Sequence, residues 1–217
     1  MTEQRALHTM KTTTFQHATA ETSAPVARSD RTRIRALAYW ATTFVIVFEL
    51  VSGSVWNLLT IEWIEIQLRH LGYPHFFAYI LGAWQVGAAV AIIAPGFALI
   101  KEWAYAGAFL LWSGAVVSHL AVGDGIESWS VPLMFAICAI ASWMLRPACR
   151  RLPQMRLRPD RTAAVGQAGP GLPAIRPRDW TVAIGLLVVL YAVSFLTLPT
   201  VEDFMHKNAV ELGWISE

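Results

Sequence analysis

Charge is scarce in this sequence: only 15% of its 217 residues are Asp, Glu, Lys or Arg, where a soluble domain carries about 25%. That shortfall excludes an ordinary water-soluble globule. Cysteine is nearly missing as well. The 2 present, Cys138 in an apolar run and Cys149 in a basic segment, form no CxxC pair and no zinc pattern, so a disulfide framework is excluded and packing is the expected role. No phosphate-cradling glycine loop, G-x-S-x-G elbow or HExxH pair occurs, and no basic stripe interleaved with aromatics, so neither those enzyme classes nor nucleic-acid binding is indicated. The opening segment, "MTEQRALHTMKTTTFQHATAETSAPVARSD", lacks the apolar core of about 7–15 residues that a signal peptide needs. Glu3, Glu21 and Asp30 speak against a transit peptide. Residues 1–35 are therefore expected to form a disordered cytoplasmic arm.

What the chain does have is apolar sequence, 55% of it, gathered into runs at 36–58, 76–95, 103–122, 131–146 and 180–198. A bilayer core needs about 20 helical residues to cross, and backbone in lipid must bond within its own segment, so the runs read as helices. The fold expected is an all-α membrane protein: a four-helix transmembrane bundle over 36–146 and a fifth, C-terminal span at 180–198. The fourth run is short, and Pro132 is expected to open it. Between bundle and fifth span, residues 147–179 read as a basic, Pro/Gly-rich cytoplasmic linker, and 199–217 as an outer acidic tail with Phe204, Val210, Leu212, Trp214 and Ile215 able to dock. Every Lys and Arg except Arg69 and Lys207 falls on one side of this arrangement. The opposite side holds Glu62, Glu65, Asp124, Glu127, Glu202, Asp203, Glu211 and Glu217. By the positive-inside rule the chain is N-in and C-out. "IEWIEIQLRHLGYPHF" is too polar to cross. Its Ile61, Ile64, Leu68 and Leu71 are spaced as one face of a short helix on the outer interface.

Ionisable groups inside spans are costly and point to function. Three polar residues qualify: Glu49 in the first run, Gln85 in the second and His119 in the third. Glu49, Gly53, Trp56 and Asn57 share one helical face, as do Trp112, Ala115 and His119. If these faces meet, they line a pocket in the outer half, floored by Glu49 and Gln85. No Lys or Arg occupies a mid-span position, so Glu49 is expected to keep its proton and to bond Gln85 or a backbone carbonyl. Two roles stay open for it: helix-to-helix glue, or a working acid with His119 as its base. The candidate residues are thus Glu49 and His119 for catalysis, and Trp56, Asn57, Trp84, Gln85 and Trp112 for ligand binding. His70 and His75 could join His119 as ligands, but nothing in the spacing fixes a haem or metal geometry. No metal is expected.

The blocks "YWATTFVIVFELVSGSVWNLL", "QLRHLGYPHFFAYILGAWQ", "APGFALIKEWAYAGAF" and "SGAVVSHLAVGDG" together resemble the DoxX-like family of small bacterial integral membrane proteins, across roughly residues 36–146. The resemblance implies a four-helix membrane bundle in the bacterial inner membrane. It also implies a quinone or another apolar small molecule as ligand, and a redox enzyme or larger membrane complex as partner. Relatives carry Lys at the position of Gln85 and Asp at that of Leu111. Their joint replacement here implies a lost ion pair. Three functions are compatible with the residues: a quinone-binding membrane partner, an isomerase or oxidoreductase acting on a lipophilic substrate, and an assembly subunit without a ligand. Homo-oligomers fit all three.

Overall fold

The computed structural model describes residues 2–147 and 176–215, with the side chains of 2–29 left aside. Six helices account for the regular structure among these residues: α1 (Thr2–Leu59), α2 (Glu62–His70), α3 (Phe77–Ile93), α4 (Ala98–Val122), α5 (Ile126–Leu145) and α6 (Pro177–Glu211). Four stretches are long and apolar enough to cross a bilayer: Asp30–Leu59, Ala98–Val122, Ile126–Leu145 and Pro177–Glu211. The second expected span, α3, is apolar but has 17 residues. It is the shortest because Pro95 removes a backbone donor just beyond its end.

α1, α3, α4 and α5 pack around one core, with α6 laid against α1. Ile46, Leu50 and Val51 of α1 meet Ala89 and Ile92 of α3, Ala104, Ala108 and Trp112 of α4, and Ala136 and Ala139 of α5. Small residues set the separations. A Cβ on Gly82 would lie 2.7 Å from Leu58 Cγ, so α1 and α3 approach at a distance that only glycine permits. Buried hydroxyls bridge the helices as well. Thr43 and Ser142 lie 2.7 Å apart across α1 and α5, and Tyr105 of α4 reaches Ser142 at 2.9 Å.

Three boundaries differ from the sequence reading. α1 starts at Thr2 and runs unbroken through the segment expected as an arm. Its first 23 residues, up to Ala24, hold no Gly or Pro, and Ala, Leu, Met, Gln, Glu, Arg and Lys favour helix locally. α5 starts at Ile126, so Pro132 lies inside the helix and does not open it. Ser128 there forgoes its bond to residue 132, a local loss that the packed helix absorbs. α6 continues across Pro199 to Glu211, taking in most of what was read as tail. The expected linker lies outside the described residues from 148 to 175.

The expected short helix is α2, with Trp63, Ile64, Ile66 and Leu68 buried. It packs beneath the C-terminal half of α6 and the turn after it, where Met205, Ala209, Leu212, Trp214 and Ile215 complete a second apolar cluster with Ala78 of α3.

Candidate functional site

The lateral cavity arises where α1, α3 and α4 diverge. Its volume is about 330 Å³, and its walls are Leu50, the α3 residues Ala83, Trp84, Gln85, Gly87, Ala88 and Ala91, and Ile100, Trp103, Ala104, Gly107, Ala108 and Leu111 of α4. Gln85 is the only wall residue with a polar side chain besides the two indoles. Trp84 and Trp103 flank the opening, each about three-quarters exposed, so the mouth faces the side of the bundle and not its end. Gln85 is held by its carbonyl: Asn57 Nδ2 donates to Gln85 Oε1 at 3.0 Å and to the Gly53 carbonyl at 2.8 Å. The amide group rests over Gly53, whose missing Cβ leaves the space. Gln85 Nε2 donates to no group among the described residues. The site therefore offers one neutral amide donor in walls that are apolar apart from the two indoles, an arrangement suited to orienting a carbonyl-bearing apolar molecule.

The cavity sits between mid-bundle and the α3–α4 turn, away from the end that carries His119. This departs from the expected outer-half pocket. The reason is helical phase: Leu50 turns into the cavity, and Glu49, about 100° round the helix from it, does not. Glu49 is half-buried at the edge of the buried stripe formed by Ile46, Val47 and Leu50. It makes no hydrogen bond or ion pair with the described residues, Gln85 included. Trp112 is a core residue, its ring 5.5 Å from Phe135, and Trp56 packs against the α2 cluster. Of the seven expected site residues, the structure joins Asn57, Gln85 and Trp84. It leaves the others in separate surroundings.

His119 belongs to a second polar centre at the opposite end from the α3–α4 turn. Its Nδ1 is 2.6 Å from Asp124 Oδ2, and His70 Nε2 is 2.8 Å from Oδ1 of the same carboxylate. Local backbone chemistry makes this meeting. α4 ends with Gly123 at φ +86°, and the Asp124 N–H donates to the His119 carbonyl at 3.0 Å, a left-handed glycine cap that folds the next residue back over the last turn. Gly72 ends α2 in the same way, with Tyr73 N–H on the Leu68 carbonyl. Partial burial pushes the Asp124 carboxyl up, but the hydrogen bonds from His119 and His70 outweigh it and hold the group below the usual carboxylate range. Trp214 stacks on His70 at 4.7 Å and on His119 at 5.7 Å, and its other neighbour is Trp63 at 5.2 Å. No group of three or more metal-ligating side chains with metal-site geometry occurs among the described residues.

Two further polar groups escaped the sequence reading, which counted them only as topology signals. Lys101 is buried, and its Nζ donates to the carbonyls of Ala91 and Ile92, each at 2.8 Å, and to that of Ala94. These are the α3 carbonyls that the helix end and Pro95 leave without backbone donors. Arg146, also buried, grips Glu102 at 2.8 and 3.0 Å. It lies over the Tyr105 ring, 5.0 Å from its centroid, and Trp143 Nε1 donates to the same carboxylate at 2.6 Å. The one available signal was position: Lys101 and Glu102 open a helix, and a buried helix end needs partners. A larger groove of about 640 Å³ runs beside this ion pair between α4 and α5, with Trp103, Leu110 and Ile140 in its wall.

Residues 41–142 match the model of the DoxX-like family. No curated protein and no solved structure matches the chain.

Proposed function

Since the chain belongs to the DoxX-like family through residues 41–142, we propose that it is a multi-pass inner-membrane protein, N-in and C-out, that binds a quinone or a similar carbonyl-bearing apolar molecule in the lateral cavity. The observation that carries this reading is the wall composition. Thirteen residues surround about 330 Å³, and among them a single side-chain amide presents an unengaged N–H. A quinone ring offers the complementary carbonyl, and its prenyl chain would leave through the side opening between Trp84 and Trp103 into lipid. The family resemblance supports a redox enzyme or larger membrane complex as the partner that such a ligand would serve.

Short-chain quinone added to purified protein in lipid nanodiscs tests the site, because quinones quench tryptophan fluorescence and two indoles flank the mouth. Saturable quenching is expected. Gln85→Leu should weaken it about tenfold, the loss of one hydrogen bond worth about 1.4 kcal/mol. Trp84→Phe should remove part of the signal without changing the midpoint. Unsaturable quenching, or equal midpoints for Gln85→Leu and the unaltered chain, would overturn the assignment.

A further inference from the structure

The His70–Asp124–His119 centre is not reached by the cavity and is left unused by quinone binding. Its electrostatics nevertheless fix a definite chemical state. Asp124 is an acceptor at neutral pH, so both ring nitrogens facing it must carry hydrogens: Nδ1 of His119 and Nε2 of His70. Whenever these imidazoles are neutral, the opposite nitrogens, His119 Nε2 and His70 Nδ1, present bare lone pairs. A carboxylate fixing the tautomer of an imidazole is the arrangement that prepares a general base. Here one carboxylate prepares two.

The centre is deepest at His119, and the His70 side chain keeps 26% of its surface exposed at the rim. His119 is 1% exposed and the Asp124 side chain 10%. The cover is Trp214, whose plane lies within 19° of the His70 ring and 16° of the His119 ring. It reaches them because Gly213, at φ +71°, turns the chain back after α6, with the Trp214 N–H on the Ala209 carbonyl. All three polar residues lie within the family-matched segment, whereas α6 and Trp214 lie beyond it. The cover is thus supplied by a part of the chain outside that segment.

The cover also has a point at which to move. Pro199, inside α6, cannot donate to the Phe195 carbonyl, so the helix there lacks one bond. Beyond it, the contacts with α2 at the rim are weak. His206 Nδ1 stands 3.3 Å from Glu62 Oε2 with both side chains about half exposed, and the Glu62 N–H reaches Glu202 at 3.4 Å. Exposed pairs of this kind add little. Leu212, Ala209 and Trp214 supply the grip.

We propose that residues 200–214 form a strap, hinged at Pro199 and latched by Trp214, that gates a two-histidine acid–base site at the outer end of the bundle. With the strap closed, His119 is shielded from solvent. With it open, the site presents two prepared imidazole nitrogens to a proton-releasing ligand arriving from the aqueous side. This assignment stands apart from the quinone reading and concerns the opposite end of the molecule.

Diethyl pyrocarbonate, which acylates an unprotonated imidazole nitrogen, reports on the gate when the full chain in nanodiscs is mapped by mass spectrometry. His75, with a side chain 55% exposed, is the internal reference. His119 is expected to react at least tenfold more slowly than His75 in the unaltered chain. In Trp214→Ala it should come within about threefold of His75, while Trp214→Phe, which keeps a stacking ring, should stay slow. Pro199→Ala should slow His119 further. His119 reacting as fast as His75 in the unaltered chain, or remaining slow in Trp214→Ala, would overturn the gate. Hydrogen exchange on the unaltered chain needs no variant. Amides 200–211 should exchange at least tenfold faster than those of α5, and equal rates would overturn the hinge.

Discussion

At Gly53 the space of a side chain is already taken, because a Cβ there would meet Gln85 Nε2 at 2.5 Å. Gly53→Ala should therefore leave the bundle folded, since the obstructing atom ends a flexible side chain. It should nonetheless displace the amide from Asn57 and weaken quinone quenching by about as much as Gln85→Leu, whose lost hydrogen bond is worth about 1–1.5 kcal/mol. Full affinity in this variant would show that the amide position is irrelevant to binding. Asp124 carries a second residue-level expectation. Its folded carboxyl is held below the unfolded value by two imidazoles, so its contribution to stability is complete above the usual carboxylate range and fades as pH falls through the folded value. Thermal midpoints of the unaltered chain and Asp124→Asn should differ at pH 6–7 and converge below about pH 4, the ordinary carboxylate value. Equal midpoints at pH 6 would mean that the pairing adds nothing.

Among the elements, α3 is the one whose end needs outside help. Pro95 removes the donor that would have served the Ala91 carbonyl, and Lys101 from the start of α4 supplies donors to Ala91, Ile92 and Ala94. Its positive charge also suits a helix C-terminus. Lys101→Met, close in size and without donors, should destabilise the protein by about 1.5–3 kcal/mol, as expected for charged hydrogen bonds. The loss should appear as a lower thermal midpoint in detergent, with the largest gain in hydrogen exchange at residues 88–94. An unchanged midpoint would assign the cap to water. The sequence showed the helices themselves, α2 included, because apolar runs and the spacing of Ile64 and Leu68 are local properties. Lys101 was read as a topology marker and Glu102 was not singled out, since their partners, the end of α3 and Arg146, are brought to them only by packing.

Over the whole molecule, the charge distribution predicts the proposed N-in and C-out orientation. Alkaline phosphatase fused after Glu217 should be active, and a fluorescent protein fused before Met1 should fold and glow in the cytoplasm. The reverse result would reject N-in and C-out, and with it an outward-facing strap. α6 joins two regions of the molecule: Tyr191 OH meets Ser54 of α1 at 3.2 Å, and Trp214 closes the centre formed by α2, α4 and the α4–α5 turn. A long helix lying across the family-matched bundle is what lets the C-terminal end touch residues from three other elements.

Composition alone determined that this chain is helical and apolar enough for a bilayer, where its main helices lie, and which segments are too polar to cross, since each follows from the cost of exposing backbone or charge to lipid. The face-sharing argument also brought Asn57 to the neighbourhood of Gln85. Only the tertiary structure decided which polar groups meet. One residue of helical phase puts Leu50 in the cavity and Glu49 outside it, and left-handed glycines at 72, 123 and 213 turn His70, Asp124 and Trp214 toward one another. Such meetings depend on rotations and chain reversals between elements far apart in sequence, and no single stretch of residues encodes them.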